Sequence, residues 1–196
     1  FNHTEQDQGQ YNQIQPIFWA SGAAFFVKAE LFKNFGGFDG TYFAHAEEID
    51  LCWRLKRAGY QIYSYPKVVV HHVGGGTLAY NSPFKAYLNF RNTLATLFKN
   101  EKSNVLIPKI FIRLLLDGAA GVLFLFQSNF KGILAIIHAH WHFFIHLPHH
   151  IRMRKKTKAI ISSQVIGPPT TKQGYLSKSI VWQFYLLKKK NFSQLS

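Results

Sequence analysis

The sequence is poor in cysteine and in acidic side chains, and both shortages limit what the protein can be. Its one cysteine, Cys52, lies within a helical pattern, which excludes an internal disulfide framework and indicates a reducing compartment. Only nine of the 196 residues are Asp or Glu, against 23 Lys and Arg. The chain also lacks an initiator methionine and a leading signal peptide, so we expect it to be a portion of a longer protein.

A long hydrophobic run free of polar interruption is also missing. A bilayer span needs roughly 20 apolar residues with few or no charges, yet residues 105–126 carry Lys109, Arg113 and Asp117 at intervals of four. Residues 132–151 contain six histidines and a proline. We therefore expect both segments to form amphipathic helices in the membrane interface. Three of these histidines recur every four residues and could present imidazoles to zinc, although a polar stripe on such a helix is the ordinary interpretation: His138, His142 and His146.

The positive charge is concentrated in the second half of the chain. Residues 101–196 contain fourteen Lys and Arg against two acids, whereas residues 1–100 contain nine against seven. The basic clusters at 152–158 and 188–190 lie beside Leu, Ile, Phe and Trp, which is typical of a lipid surface rather than of a polar nucleic-acid groove. We expect peripheral attachment to an anionic membrane, at the cytoplasmic face of the inner or plasma membrane, and no nucleic-acid partner.

Local patterns predict an α/β fold in the first half of the chain. The expected elements are a buried strand over 17–27, a helix over 28–35, a helix from Glu47 to Gly59, a strand over 60–72 and a helix over 83–100. We expect one unit over 1–104, amphipathic membrane-associating helices over 105–158, and a linker with a basic amphipathic tail over 159–196.

Three of the nine acids lie within four positions, as Glu47, Glu48 and Asp50. On a helix, position 48 shares a face with the apolar residues Leu51 and Cys52, so Glu48 should point toward a cleft above the sheet. Acids in a first helical turn also complement the helix dipole, by about 0.3 to 1 kcal/mol each. Spacing alone leaves both roles open.

A histidine pair, His71 and His72, follows the second predicted strand and precedes three glycines at 74–76. Side chains alternate along a strand, so one of the two faces inward, where a histidine is more often a hydrogen-bonded core residue than a ligand. Glycines at such a place permit close approach of the backbone to a ligand.

Together these elements resemble the family two glycosyltransferases, and particularly the rhamnosyltransferase-like members. The pattern is a small-residue segment at 21–23, a Gly-Gly-Phe-Asp turn at 36–39, an acidic pair and Asp at a helix start, a strand, and then His with glycines. The resemblance covers about residues 14–100. It implies the C-terminal, acceptor-side half of a glycosyltransferase-A fold, followed by the amphipathic helices.

The resemblance also implies an inverting reaction, in which a carboxylate removes the proton from an acceptor hydroxyl as that oxygen attacks the sugar of a nucleotide-sugar donor. The family usually has Glu-Asp where this chain has Glu47-Glu48, with the second residue as base. By position the base is Glu48, and the helix-face argument selects the same residue. Because Glu is one methylene longer than Asp, Glu47 remains an alternative.

Further roles follow from the resemblance alone. Asp50 would bind the acceptor or orient the site, and the remaining expected acceptor contacts are Trp19, Ser21, Gly22, Gly37 and Asp39. His72, with His71 as the second choice, would hold a divalent metal, and an imidazole ligand favours Mn²⁺ over Mg²⁺. The acceptor would be a glycan or a lipid-linked sugar.

No Asp-x-Asp motif for metal and diphosphate occurs in the chain, so the chain alone should be inactive. The alternative function is a noncatalytic, basic, membrane-associated adaptor, with nucleic-acid binding less favoured.

Overall fold

A computed structural model describes residues 5–72 and 82–195, and over these residues the protein is mainly helical. The helices are α1 Ala29–Asn34, α2 Glu47–Arg57, α3 Pro83–Asn100, α4 Ser103–Phe126, α5 Phe130–Ile145, α6 Leu147–Ser163 and α7 Ile180–Tyr185. Two short strands, β1 Gln15–Pro16 and β2 Tyr63–Ser64, pair antiparallel, and 3₁₀ turns occupy Gly40–Tyr42 and Phe192–Leu195. The predictions of α1, α2 and α3 are confirmed.

The two predicted strands are wrong over most of their length. Residues 17–27 have no strand structure, and within 60–72 only Tyr63–Ser64 is a strand. A strand persists only when neighbouring backbone pairs with it. Beyond the β1–β2 ladder, the described backbone pairing between these segments is one bond, in which the N–H of Ile17 donates to the carbonyl of Ile62 at 2.9 Å. The hydrophobic pattern of the two segments indicated burial. Apart from the pairs just named, the described residues supply no backbone partner that would make these segments strands.

The main hydrophobic core lies between α2 and α6. Leu51 and Leu55 of α2 and Ala58 directly after it are each at most 6% exposed, and they pack with Phe35 and with Ile161 of α6. This is the apolar face that the sequence predicted for α2. The helix ends before Gly59, whose φ of +98° suits glycine because it lacks a Cβ.

Helix α3 lies against α2, α5 and α6 and connects the carboxylate region with the later helices. Leu88 and Leu94 are buried on it, and the ring of Phe98 meets that of Phe143 edge-on at 5.7 Å. Helices on the two sides of the predicted boundary after residue 104 thus pack together. The boundary predicted after residue 158 falls within α6.

Helix α4 turns its charged residues toward the protein and its apolar residues outward. The only buried residues on it are Leu106 and Asp117. Asp117 accepts from Arg113 at 2.8 Å and lies 3.0 Å from Nε2 of His140 on α5. Lys109 pairs with Glu101 at the end of α3. Within the described residues, no helix combines the length and the apolar character needed to cross a membrane.

The basic cluster at 152–158 is not uniformly exposed. Arg154 is only 8% exposed, and its guanidinium donates to the carbonyl of Phe98 and to Oγ of Ser103. A helix leaves its last carbonyls without intrahelical donors, so Arg154 satisfies the end of α3. Arg154 is thus held inside the protein, whereas Arg152, Lys155, Lys156 and Lys158 of this cluster are exposed.

Candidate active site

Glu48 lies in the first turn of α2, half-buried, beside an exposed glycine. A Cβ built on Gly22 would lie 3.9 Å from Cδ of Glu48, so the 21–22 backbone passes close to the carboxylate. Burial raises the pKa of Glu48 above its usual value, and the nearby carboxylate of Glu47 adds to the shift. A carboxylate with a raised pKa is a stronger base than an ordinary one, which is what proton removal from a hydroxyl requires.

A groove of about 890 Å³ lies between the 17–28 segment and α2, and Glu48 is not among the residues that line it. Trp19 and Ser21, both exposed, line it together with Leu51 and Cys52 from the face of α2 that Glu48 begins. Burial raises the pKa of the Cys52 thiol, so that side chain remains a neutral part of the wall. Three predicted acceptor contacts are therefore at the surface: Trp19 and Ser21 line the groove, and Gly22 lies beside Glu48.

The backbone immediately before α2 is strained. Phe43, His45 and Ala46 have φ angles of 65°, 71° and 72°, in the left-handed region that non-glycine residues rarely occupy. Such conformations cost of the order of 1 to 3 kcal/mol each and persist where the surroundings enforce them. We call residues 41–46 the entry loop; it leads directly into Glu47 and Glu48.

Helix α3 holds the entry loop by a buried amide. The side-chain Nδ2 of Asn92, a residue 1% exposed, donates to the carbonyls of Tyr42, Ala44 and His45 at 3.0, 2.7 and 2.7 Å. The adjacent Arg91 donates to the carbonyl of Tyr42 at 2.9 Å. These contacts set the path by which the chain enters α2, and so the position of its first carboxylates.

Asp50 and Asp39 face the interior. Asp50 is fully buried and accepts from Arg54 and Lys99, each at 2.9 Å, and from Asn100 at 2.7 Å. Lys99 also donates to Asp39 at 2.8 Å. Burial opposes ionisation of Asp39, but Lys99 and hydrogen bonds from Thr41 outweigh it and lower its pKa to about 2. Lys99 thus ties the Gly-Gly-Phe-Asp turn to α2 and α3.

Gly37 belongs to the same buried network. Its carbonyl accepts from Arg54 at 2.7 Å, its φ is +61°, and an added Cβ would lie 2.9 Å from the ring of Phe32. Of the six predicted acceptor contacts, Gly37, Asp39 and Asp50 are therefore engaged inside the protein. Of the two roles open for Asp50, this burial supports orienting the site.

Glu47 has a different environment from Glu48. One of its carboxylate oxygens is buried and has no hydrogen-bond partner among the described residues, and the same holds for Nε2 of His45. Burial lowers the pKa of His45, Lys85 acts in the same direction, and Glu47 opposes the shift. Because one oxygen of its carboxylate is buried without a partner among the described residues, Glu47 remains the alternative base.

The described residues do not form a metal site by themselves. His71 and His72 are both exposed, and the glycines at 74–76 that follow them lie outside the described residues. Over residues 5–72 and 82–195, no three His, Cys, Asp or Glu side chains lie close enough to hold one ion. His138, His142 and His146, despite their spacing, are included in that result.

Sequence reasoning missed the polar face of α3. Four polar side chains buried on this helix fall at intervals that place them on one face, namely Asn92, Thr96, Lys99 and Asn100. Polar residues recurring with helical period beside an apolar set were the available signal. These side chains make hydrogen bonds to the entry loop and to Asp39 and Asp50. The sequence alone could not identify those partners.

The sequence matches a known protein family and several characterised proteins. Residues 2–98 match the model of the family described as glycosyltransferase like family 2. The chain is 26% identical over 131 residues to the low-salt glycan biosynthesis hexosyltransferase Agl10 of Haloferax volcanii, a match over 66% of this chain and 43% of that protein. No solved structure matches the chain.

Two rhamnosyltransferases are similar over shorter stretches. The N-acetylglucosaminyl-diphospho-decaprenol L-rhamnosyltransferase of Mycobacterium tuberculosis is 38% identical over 64 residues, which is 32% of this chain and 21% of that protein. Rhamnosyltransferase WbbL of Escherichia coli is 40% identical over 48 residues, 24% of this chain and 18% of that protein. The chain thus spans less than half the length of these relatives.

Proposed function

Because the chain belongs, through residues 2–98, to the family 2 glycosyltransferases, we propose that it forms the acceptor-side half of an inverting enzyme with a glycosyltransferase-A fold. This enzyme moves a sugar from a nucleotide-sugar donor to a glycan or lipid-linked acceptor. The mainly helical structure with one small sheet fits an α/β glycosyltransferase-like fold. The observation that carries the mechanism is the half-buried Glu48 beside Gly22.

In the proposed reaction, Glu48 accepts the proton of the acceptor hydroxyl while the hydroxyl oxygen forms a bond to the anomeric carbon of the donor sugar. The bond from that carbon to the nucleotide diphosphate breaks on the opposite side, which inverts the configuration. The raised pKa of Glu48 increases its affinity for the proton. Asn92 fixes the entry loop, so the carboxylate meets the hydroxyl in one orientation.

The proposed acceptor site is the exposed surface around Trp19, Ser21 and Gly22. Trp19 is 41% exposed and can stack on a sugar ring, and Ser21 offers a hydroxyl beside the groove. We assign Gly37, Asp39 and Asp50 a positioning role through Lys99 and Arg54, since all three are engaged inside the protein. The names of the relatives, a hexosyltransferase of glycan biosynthesis and a rhamnosyltransferase of a diphospho-decaprenol acceptor, support this substrate class.

We propose that His72 supplies one imidazole to a divalent metal, Mn²⁺ or Mg²⁺, that offsets charge on the donor diphosphate. Its exposure leaves it accessible to such an ion, but one imidazole does not make a tight site. Manganese titration of the isolated chain should therefore detect no tight binding. Submicromolar affinity that disappears with His142→Gln and persists with His72→Gln would place the metal at the later histidines instead.

The same proposal places the protein peripherally on an anionic membrane, at the cytoplasmic face. The supporting observation is the inverted α4, where Ile107, Phe111 and Phe126 are 71%, 61% and 82% exposed. On α5, Trp141 is 68% exposed, and on α7 Trp182 is 57% exposed. A helix that faces water turns its charged side chains outward and its apolar side chains inward. The reverse arrangement on α4 suits a lipid-covered surface.

The test of the catalytic assignment is Glu48→Gln in the full-length protein, with Glu47→Gln and Glu30→Gln as companions. Glutamine keeps the size of the side chain and removes its basicity, so Glu48→Gln should reduce kcat by a factor of about 10² or more. Glu30, exposed on α1, is the matched control and should retain activity. If Glu47→Gln is inactive and Glu48→Gln is active, Glu47 is the base and Glu48 is not. No transfer by the unaltered protein would favour the noncatalytic adaptor.

A further inference from the structure

A second cavity, of about 230 Å³, lies between α3, the α5–α6 junction and the entry loop. We call it the histidine pocket. The residues that line it include Tyr42, Arg91, His142, His146, His149 and His150. Four imidazoles and a guanidinium thus surround one space, and no carboxylate lines it.

Two imidazole nitrogens of the residues that line this pocket have no partner among the described residues. Nδ1 of His142 and Nε2 of His150 are buried and make no hydrogen bond with any described residue. An unsatisfied buried polar group costs about 1 to 3 kcal/mol. His146 is bonded through Nδ1 to the carbonyl of His142 at 2.9 Å, and the two rings stack with centroids 4.0 Å apart. The rings that line the pocket are thus held in place, and two of their nitrogens have no hydrogen-bond partner among the described residues.

No described residue that lines the pocket carries a negative charge, and the guanidinium of Arg91 is cationic. Burial lowers the pKa of His142, and His146, Arg91 and His149 lower it further. Burial likewise lowers the pKa of His150, to about 4, with His149, His142, His146 and Arg91 acting in the same direction. Arg91 faces the pocket from α3, and Tyr42 faces it from the 3₁₀ turn. An anion among these groups would restore protons to the rings, and each protonated ring gains a second N–H donor.

A metal ion is the wrong ligand for this arrangement. Among the described residues, no three of these histidines lie in a geometry that could hold one ion. The guanidinium of Arg91 would also repel a cation at the same place. Positive and donor-rich groups without a carboxylate match an oxyanion.

We propose that the histidine pocket binds the diphosphate group of a ligand, through its imidazoles and Arg91. The adjoining surface indicates where that ligand comes from. Ile145, three residues after His142 and on the same face of α5, is 53% exposed, and Phe84, which stacks on Tyr87 beside His142, is 46% exposed. A lipid attached to the diphosphate would therefore meet an apolar surface next to the pocket. The ligand is then the diphosphate of a lipid-linked acceptor. This choice of source rests on the proposed function, whereas the pocket itself does not.

The test measures binding to the full-length protein by calorimetry in EDTA, with pyrophosphate, farnesyl diphosphate and farnesol as probes at pH 6.0 and 7.5. Pyrophosphate should bind at least fivefold more tightly at pH 6.0, because binding takes up protons on the rings. His149→Gln should weaken binding at least fivefold and reduce this pH dependence. His138→Gln is the matched control, since His138 is exposed on α5 and does not line the pocket.

His142→Gln serves as a second variant, with thermal unfolding measured alongside to establish that it folds. Equal pyrophosphate affinity in the unaltered protein, His149→Gln and folded His142→Gln would overturn the site. Farnesyl diphosphate should bind more tightly than both pyrophosphate and farnesol. If it binds no more tightly than pyrophosphate, a free diphosphate is the ligand and the lipid source is wrong. No turnover enters these measurements, so a failed glycosyl-transfer assay leaves their result standing.

Discussion

The side-chain amide of Asn92, in the middle of α3, donates a hydrogen bond of 2.7 Å to the backbone carbonyl of His45, two residues before Glu47. The two residues are 47 positions apart in sequence. His45 is one of three residues in four with a left-handed backbone, and Asn92 is almost completely buried. The first turn of α2 is therefore positioned by a helix that contributes no carboxylate of its own to the site.

Asn92→Ala should reduce kcat by about tenfold or more while the acceptor KM changes little. Removing the amide takes this donor from the carbonyls of Tyr42, Ala44 and His45, at a cost of about 1 to 3 kcal/mol, and frees the entry loop to leave its strained conformation. The measurement is steady-state kinetics with thermal unfolding. Leu94→Ala is the stability control, since Leu94 is fully buried on the same helix but makes no bond to the loop. If Leu94→Ala loses as much kcat as Asn92→Ala at matched stability, Asn92 has only a structural role.

The pH dependence of kcat/KM should report the raised pKa of Glu48. Burial and Glu47 raise this pKa, so the carboxylate is protonated, and inactive as a base, at pH values where an ordinary Glu is still ionised. As pH falls through the raised value, kcat/KM should drop about tenfold per pH unit. The comparison is Glu48→Asp, which keeps the carboxylate and should shift the acidic limb. A profile that stays flat down to the ordinary pKa of Glu would contradict the assignment.

The Asp39–Lys99 ion pair should stabilise the fold above pH 4 and lose its effect in acid. Lys99 and Thr41 overcome burial and lower the folded pKa of Asp39 from 3.8 to about 2, so the pair contributes fully above the unfolded value and is lost as pH falls toward the folded one. The contribution is roughly 2 kcal/mol. Lys99→Met leaves Asp39 and Asp50 without this cation and should cost about 3 to 5 kcal/mol of unfolding free energy near pH 7.

Urea unfolding of both proteins across pH 2 to 7 measures this difference. Because protonated Asp39 no longer needs its cation, the gap between the unaltered protein and Lys99→Met should narrow as the pH approaches 2. Lys102→Met, an exposed change two residues after α3 ends, is the matched control. A gap that stays constant over this range would show that the destabilisation comes from lost packing of the Lys99 side chain.

Attachment to membranes should depend on the exposed cations of α6. Each Lys or Arg near an anionic surface contributes about 1 kcal/mol, so neutralising Arg152, Lys155 and Lys156 together with Gln should weaken partition to anionic vesicles about 100-fold. Neutralising the exposed Lys28, Lys33 and Lys67 removes the same charge from the first half of the chain. Sedimentation with anionic and neutral liposomes measures the difference. The α6 triple variant should bind anionic vesicles much more weakly than the triple variant of the first half.

The full-length protein should also leave anionic vesicles at high salt, because screening removes the attraction. Retention after high salt and carbonate washing, with a protease-protected segment inside residues 118–151, would show instead that a helix spans the bilayer. Equal loss of binding in the two triple variants would indicate that net charge, rather than the surface of α6, determines attachment.

The sequence by itself determined those features that depend on neighbours along the chain. The apolar period from Leu51 to Ala58 predicted α2 and its buried side, and Gly59 predicted the end of the helix. The ordered motif elements predicted the family, which the matching region confirmed. Each of these is decided by helical geometry or by backbone preferences within a few residues, so no distant contact is needed to infer it.

Only the tertiary structure decided which of the three clustered acids are enclosed in the protein and which lie near its surface. Asp50 and Glu48 lie two residues apart, yet Asp50 is enclosed by Lys99 and Asn100, about 50 positions away in sequence, while Glu48 lies beside Gly22. The two predicted strands failed for the same reason, since a strand requires a partner that pattern cannot supply. A charge in the interior is tolerated only when donors meet it, and those donors were brought to Asp50 by the packing of α3 against α2.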